Sequence, residues 1–312
     1  MTDAEKQSGR LPAKLGGMRM LRSVGERVIR VALVVTTVCF PWGAGGQEAV
    51  PSASSPSGLP RSPADSVAVT PARAFGWPEA RGFALTAALG GAAFLADQST
   101  RTTAQGSGLQ NSSVLRAVSD YGDVFGPPVS LSLALVMYGG GVAAQRPMLA
   151  TSGFRAVEAI GVSGAVTLVL KQAFGRARPY VSPNDSGDWE WGRGTGRLEG
   201  AYLSMPSAHT TAAFAFATAV TRSVAREAPE HVRWVGLVTY GSATAAGYAR
   251  IHRDRHWLSD VMVGAGIGTV TALAIDRWHA TRPNNSVDAF FLKPVLAPLR
   301  DGSTGVGVNI QF

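Results

Sequence analysis

Cysteine is almost missing from this chain: the single one, Cys39, lies in an apolar run near the N-terminus. If that leader is removed the remaining protein has no thiol, which excludes disulfides and thiol chemistry. Histidine is also scarce, with 5 in 312 residues. Histidines and carboxylates show no zinc spacing, so the expected site holds no metal and needs no cofactor. No Lys/Arg cluster interleaved with aromatics occurs either. The formal net charge of +8 therefore points to anionic substrates and anionic lipid rather than nucleic acid.

Long uninterrupted apolar runs are few. Most uncharged stretches are about 12 to 17 residues, broken by Arg155, Glu158, Arg222 and Asp276, whereas a comfortable bilayer span needs about 20. Only the second of the helical segments below clearly reaches that length. Charges near helix ends can snorkel, so spanning stays open.

Four regions follow from composition. Residues 1–46 carry Lys14, Arg19, Arg22, Arg27 and Arg30 ahead of an apolar run from Val31 to Trp42 that ends in small residues. This is the pattern of a signal peptide, with an N-terminal anchor as the alternative. Residues 47–78 are a Pro/Ser/Ala-rich linker. Residues 79–282 read as six helical segments, near 79–100, 124–145, 152–175, 207–228, 232–250 and 256–278, rich in Gly and Ala that permit close helix approach. The remainder, 283–312, reads as a tail with a β-hairpin around Asp301-Gly302, closing on the alternating strand Val306–Phe312. The expected fold class is all-α: a six-helix bundle with a small C-terminal hairpin.

Three polar islands sit where apolar segments meet loops: Lys171…Arg178-Pro179, Pro206-Ser207-Ala208-His209 and Arg250…His256…Asp260. Lys171 and Arg178 are two helical turns apart and share a face if the helix persists, with Pro179 at its end. Ser207 is a good N-cap, and a helix starting there aims its N–H groups and positive dipole end at an anion, with His209 in the first turn. His256 and Asp260 are spaced i, i+4, so the carboxylate can fix one ring nitrogen and leave the other free. Singly, these are a solvated helix end, a capped helix with a surface histidine, and a structural tie. In this order, at helix–loop junctions of an up-and-down bundle, they converge on a pocket suited to a phosphate dianion. Between the first two islands, Trp189-Glu190-Trp191 either grips an acyl chain or membrane interface, or packs on its own loop.

These islands resemble the signature of the phosphatidic acid phosphatase type 2 and vanadium haloperoxidase superfamily: K-x6-R-P, P-S-G-H and S-R-x5-H-x3-D. Here the three stand as Lys171…Arg178-Pro179, Pro206-Ser207-Ala208-His209 and Ala249-Arg250…His256…Asp260. The resemblance implies His256 as nucleophile forming a phosphohistidine, Asp260 as its orienting partner, and His209 as the acid that protonates the leaving oxygen. It implies Lys171, Arg178, Ser207, Ala208 and Arg250 as phosphate ligands. Ala208 replaces the family's glycine, adding a methyl where unusual dihedrals or close approach to phosphate are at stake, and Ala249 replaces its serine.

The expected activity is metal-independent hydrolysis of phosphate monoesters, on a phosphorylated lipid or a small soluble ester. The alternatives are a vanadate-dependent haloperoxidase and a non-catalytic lipid-binding scaffold. Arg146, Arg155, Arg222, Arg226, Arg233 and Arg277 fall at the ends away from the site and, by the positive-inside bias, place the catalytic face outside the cytoplasm. A spanning bundle behind a cleaved signal would place it inside. An exported bundle reconciles the two cues, so the expected location is the cell envelope, periplasmic and membrane-associated, with an integral inner-membrane protein as the alternative.

Overall fold

The computed structural model describes residues 76–193 and 200–292. The leader, most of the linker and the expected hairpin at 301–312 lie outside them. The described residues are mostly helical, with ten α-helices and no strand beyond an isolated bridge between Arg176 and Trp189. They are α1 (Trp77–Phe94), α2 (Asp97–Ala104), α3 (Ser107–Gln110), α4 (Ser113–Val124), α5 (Pro127–Ala143), α6 (Pro147–Phe174), α7 (Ala208–Glu227), α8 (Val232–His252), α9 (Leu258–Ala280) and α10 (Ser286–Phe291).

The six expected segments correspond to α1, α5, α6, α7, α8 and α9, so the count of six is corrected upward by four short helices. Three of these, α2 to α4, occupy what reads in sequence as a polar loop. Ser112 caps α4, its hydroxyl accepting from Leu115 N at 3.4 Å. The fourth, α10, lies in the expected tail and is capped by Asn285, whose Oδ1 accepts from Asp288 N at 2.8 Å.

Helices α6, α7 and α9 form the middle of the bundle. Glycine makes their contact close: a Cβ on Gly264 would lie 2.6 Å from Ser207 O, and one on Gly268 would lie 2.3 Å from Thr211 O. This approach brings the start of α7 onto the start of α9, where Ser207 N donates to Asp260 O at 3.0 Å. The core beneath is built on Phe125, Leu133, Met137, Phe216 and Val220, all nearly inaccessible. Phe125 and Phe216 meet edge to face at 6.0 Å, a preferred aromatic geometry.

Two helices, α6 and α9, are long and apolar enough to cross a membrane. The segment whose uncharged run was expected to reach bilayer length, α5, has 17 residues and passes only when joined to α4 across a 59° bend. Arg155, Arg222 and Asp276, which interrupt the apolar segments, are paired, which lowers the cost of carrying them in an apolar helix. Arg155 is forked onto Asp288 at 2.7 and 3.0 Å, and Arg222 and Arg226 both meet Asp276. Leu135, Val136, Leu168, Val169 and Leu237 face outward on α5, α6 and α8.

Candidate active site

Each island is placed by a local device. Gly175 ends α6 in the left-handed conformation, φ 54°, and a Cβ there would meet Glu190 O at 1.9 Å. The helix therefore stops before Arg178. Lys171 and Arg178 do not share a helical face as the seven-residue spacing suggests; Arg178 is carried by the loop, its backbone N–H donating to Ala201 O at 2.8 Å. Its guanidinium donates to Gly200 O and, at 3.2 Å, to Arg255 O. Lys171, in the last turn of α6, is 8% exposed and donates to Leu203 O and, at 3.2 Å, to Ser204 O.

Ser207 caps α7, and its buried Oγ accepts from Thr210 N at 3.5 Å and Thr210 Oγ1 at 3.0 Å, leaving its own proton to donate. The N–H groups of Ala208 and His209 are those a helix start leaves for an anion. Ala208 is the first residue of α7 and does not have positive φ, so the methyl replacing a glycine costs no backbone strain.

The third island also departs from a simple helix reading. α9 starts at Leu258, so His256 lies in the preceding turn, held by donation from its N–H to Arg250 O at 3.2 Å. Asp260 is in the first turn of α9, and its Oδ2 accepts from Trp257 N at 2.9 Å. His256 Nδ1 is 3.4 Å from that same oxygen, a charge contact without a formed hydrogen bond.

Electrostatics tie the islands together. Burial first, then Lys171 and Arg178, push the His209 imidazole down to about 4. Burial pushes His256 down to about 3, against the pull of the Asp260 carboxylate, with Lys171 and Arg178 adding to the depression. Burial also lowers Arg178, and lowers Arg250 to about 10. Both stay charged at neutral pH. The site thus sets two neutral imidazoles beside the guanidinium groups of Arg178 and Arg250, a potential that favours a dianion. Among the described residues, no three His, Cys, Asp or Glu side chains gather as a metal-binding group.

Several residues at this site are absent from the three islands. Asp123, at the end of α4, pairs with Arg250 and lies 3.4 Å from Arg253. Gly126, just before α5, lies flat against the His209 ring; a Cβ would stand 2.1 Å from its Cδ2. Behind Asp260, Ser204 Oγ donates to Oδ2 at 2.6 Å and Arg176 to Oδ1 at 2.7 Å. Of the two tryptophans, Trp189 packs inside its loop over Arg176 and edge to face with Phe174, while Trp191 is 72% exposed.

Residues 152–284, which contain all three islands, match the PAP2 superfamily, the family whose signature they resemble. A lipid A 1-phosphatase of Porphyromonas gingivalis is 34% identical over 113 residues, which is 36% of this chain. The match spans 20% of that relative's length. A transmembrane PAP2-type phosphatidylglycerolphosphate phosphatase from Bacillus subtilis has 19% identity and a TM-score of 0.47, over 63% of this chain and 93% of that one.

Proposed function

We propose, on the premise that residues 152–284 form a PAP2 superfamily domain, that this protein is a membrane-associated phosphatase. It removes phosphate from a phosphorylated lipid through a phosphohistidine, without a metal. One observation carries the reading: His256 is backed on one ring nitrogen by Asp260, and the cations Lys171 and Arg178 depress both it and His209. A nucleophile, an acid and a cationic cradle are what an in-line phosphoryl transfer asks of a protein.

In the first step Nε2 of His256 attacks phosphorus and the ester P–O bond breaks; His209, which takes up a proton as the bound dianion offsets the surrounding cations, gives that proton to the departing alkoxide, which leaves as the alcohol. In the second, water attacks the phosphohistidine, His209 takes a proton from it, and the P–N bond breaks to release inorganic phosphate. Lys171, Arg178, Arg250, the Ser207 hydroxyl and the first N–H groups of α7 stabilise charge on the equatorial oxygens. Lipid substrates are favoured over soluble esters by the apolar outer surface of α5, α6 and α8 and by the two span-length helices. The relative's name, lipid A 1-phosphatase, points to the same class.

The test is phosphate release from a panel of lipid phosphates and an aryl phosphate in detergent, with acid-quenched radiolabelled substrate to trap the intermediate. His256→Ala is expected to abolish both turnover and labelling. Full turnover in that variant would refute the mechanism, and equal efficiency on soluble and lipid esters would refute the substrate class.

A further inference from the structure

Arg176 has no role in the three islands, yet it is as fully enclosed as its partners Asp97 and Asp260. Its side chain has 0% exposure. One guanidinium nitrogen donates to Asp260 Oδ1 and Ser259 Oγ, each at 2.7 Å, and the other to Asp97 Oδ2 and Ser186 O, each at 2.7 Å. Aromatic rings enclose it, with Trp189, Phe94 and Trp257 centred 4.7, 5.3 and 5.4 Å from the guanidinium carbon. Asp97 is the first residue of α2. It also accepts from Ser259 N at 2.8 Å and Ser259 Oγ at 2.6 Å, holding the first turn of α9.

Stability alone is a poor reason for such a group. A buried ion cluster costs desolvation that packed apolar side chains avoid, and replacing one by hydrophobic residues is often neutral or stabilising. The cluster is directional instead. Arg176 takes Oδ1 of Asp260, while Oδ2 is left for Ser204, Trp257 N and the imidazole of His256. Two carboxylates, Asp97 and Asp260, share this one guanidinium.

We propose that Arg176 and Asp97 are positioning residues of the catalytic pair: Arg176 fixes the rotation of the Asp260 carboxylate, and Asp97, by sharing the guanidinium, sets how much negative charge Asp260 presents to His256. The other charged groups that act on His256 are Lys171 from α6 and Arg178 from the following loop, and both disfavour an imidazolium. Asp260, with its charge metered by Asp97, is the opposing influence.

The inference rests on His256 being the group that Asp260 serves, and its test reads that imidazole directly. In the full chain in detergent, with saturating inorganic phosphate as the probe, the His256 ring is titrated by carbon-13 NMR and assigned with His256→Gln. Asp97→Asn lets Arg176 satisfy Asp260 alone. The expected result is a His256 midpoint lower by about 0.5 to 1 pH unit, with kcat on an aryl phosphate reduced several-fold and KM within about twofold. Ser259→Ala, which takes a donor from Asp97 and draws the guanidinium toward it, is expected to raise the midpoint, and it serves if Asp97→Asn does not fold. An unmoved midpoint in a folded variant, whatever happens to kcat, overturns the proposal. Because the midpoint is read without turnover, a wild type that binds phosphate but hydrolyses no ester sinks the phosphatase reading alone.

Discussion

Asp123 and Arg250 form an ion pair that ties the end of α4 to the last turn of α8. Arg250 is 7% exposed, and its Nε has no hydrogen-bond partner among the described residues. One edge of the guanidinium is therefore held by a carboxylate and another is left for a ligand. Asp123 also places a negative charge beside a site proposed to receive a dianion. Asp123→Asn is expected to lower the inhibition constant of inorganic phosphate by about 3- to 10-fold, by removing that repulsion. A competition assay against an aryl phosphate at low salt measures it. A constant that stays the same or rises would mean that orienting Arg250 outweighs the repulsion.

A second consequence concerns acid. His209 and His256 are neutral in the folded protein at pH values where the unfolded chain, with histidine near about 6.5, already binds protons. Wherever the unfolded state holds more protons, stability rises with pH. The stability linked to these imidazoles is thus intact above about 6.5 and is lost as pH falls toward the lowered folded values, about 4 for His209. The melting temperature in detergent is expected to drop between those limits, and to drop less in His209→Asn. A flat profile across that window would contradict the burial of neutral imidazoles.

The first two islands were legible because each combines a chemistry-bearing residue with a helix boundary signal, Pro179 as a stop and Ser207 as a cap, and the third through the i, i+4 spacing of His256 and Asp260. What spacing could not tell was the backbone carrying them. Lys171 and Arg178 are brought together by a loop, and His256 precedes the helix that holds Asp260. Helix α4 was missed because its buried positions are Ser119 and Gly122, with Gly122 so close to α8 that a Cβ would stand 2.0 Å from Ala245 O, while Val114 faces out at 69% exposure. Its closest contacts are made by small residues, which give little hydrophobic signal in sequence. Asp97 gave no signal at all, since its partners Arg176 and Ser259 are 79 and 162 residues away.

The span-length helices carry a testable consequence as well. Arg155 bridges α6 to α10 through Asp288, and His279 of α9 joins the same cluster by contacts of 2.9 Å to Glu158 and 3.2 Å to Asp288. Asp288→Ala leaves Arg155, 7% exposed, without its forked partner. Breaking a buried pair from one side costs about 3 to 5 kcal/mol, so the variant is expected to melt well below the wild type. Asp288→Asn should lose less, since its amide oxygen still accepts a hydrogen bond. Because this cluster is remote from His256, kcat of the folded fraction should stay within about twofold. A thermal melt monitored by circular dichroism, paired with activity per folded molecule, checks both halves.

Gly126 bears on the chemistry through His209. The ring lies where any side chain at 126 would be, with ideal Cβ distances of 2.1 Å to Cδ2 and 2.6 Å to Nε2, so Gly126→Ala must move the imidazole or the start of α5. Moving the proposed acid by even 1 Å matters, because proton transfer requires hydrogen-bond reach. The size of the loss should follow the leaving group. An alkoxide needs its proton as the P–O bond breaks, whereas an acidic phenol departs as the anion. Gly126→Ala is therefore expected to lower kcat about 100-fold or more on an alkyl or lipid phosphate, and only a few-fold on a nitrophenyl phosphate, with phosphate binding little changed. His209→Ala should give the same pattern, and the double variant should be no worse than His209→Ala alone, since both act through one proton. Equal losses on the two substrates, or additive losses in the double variant, would show that Gly126 acts on the fold and not through His209.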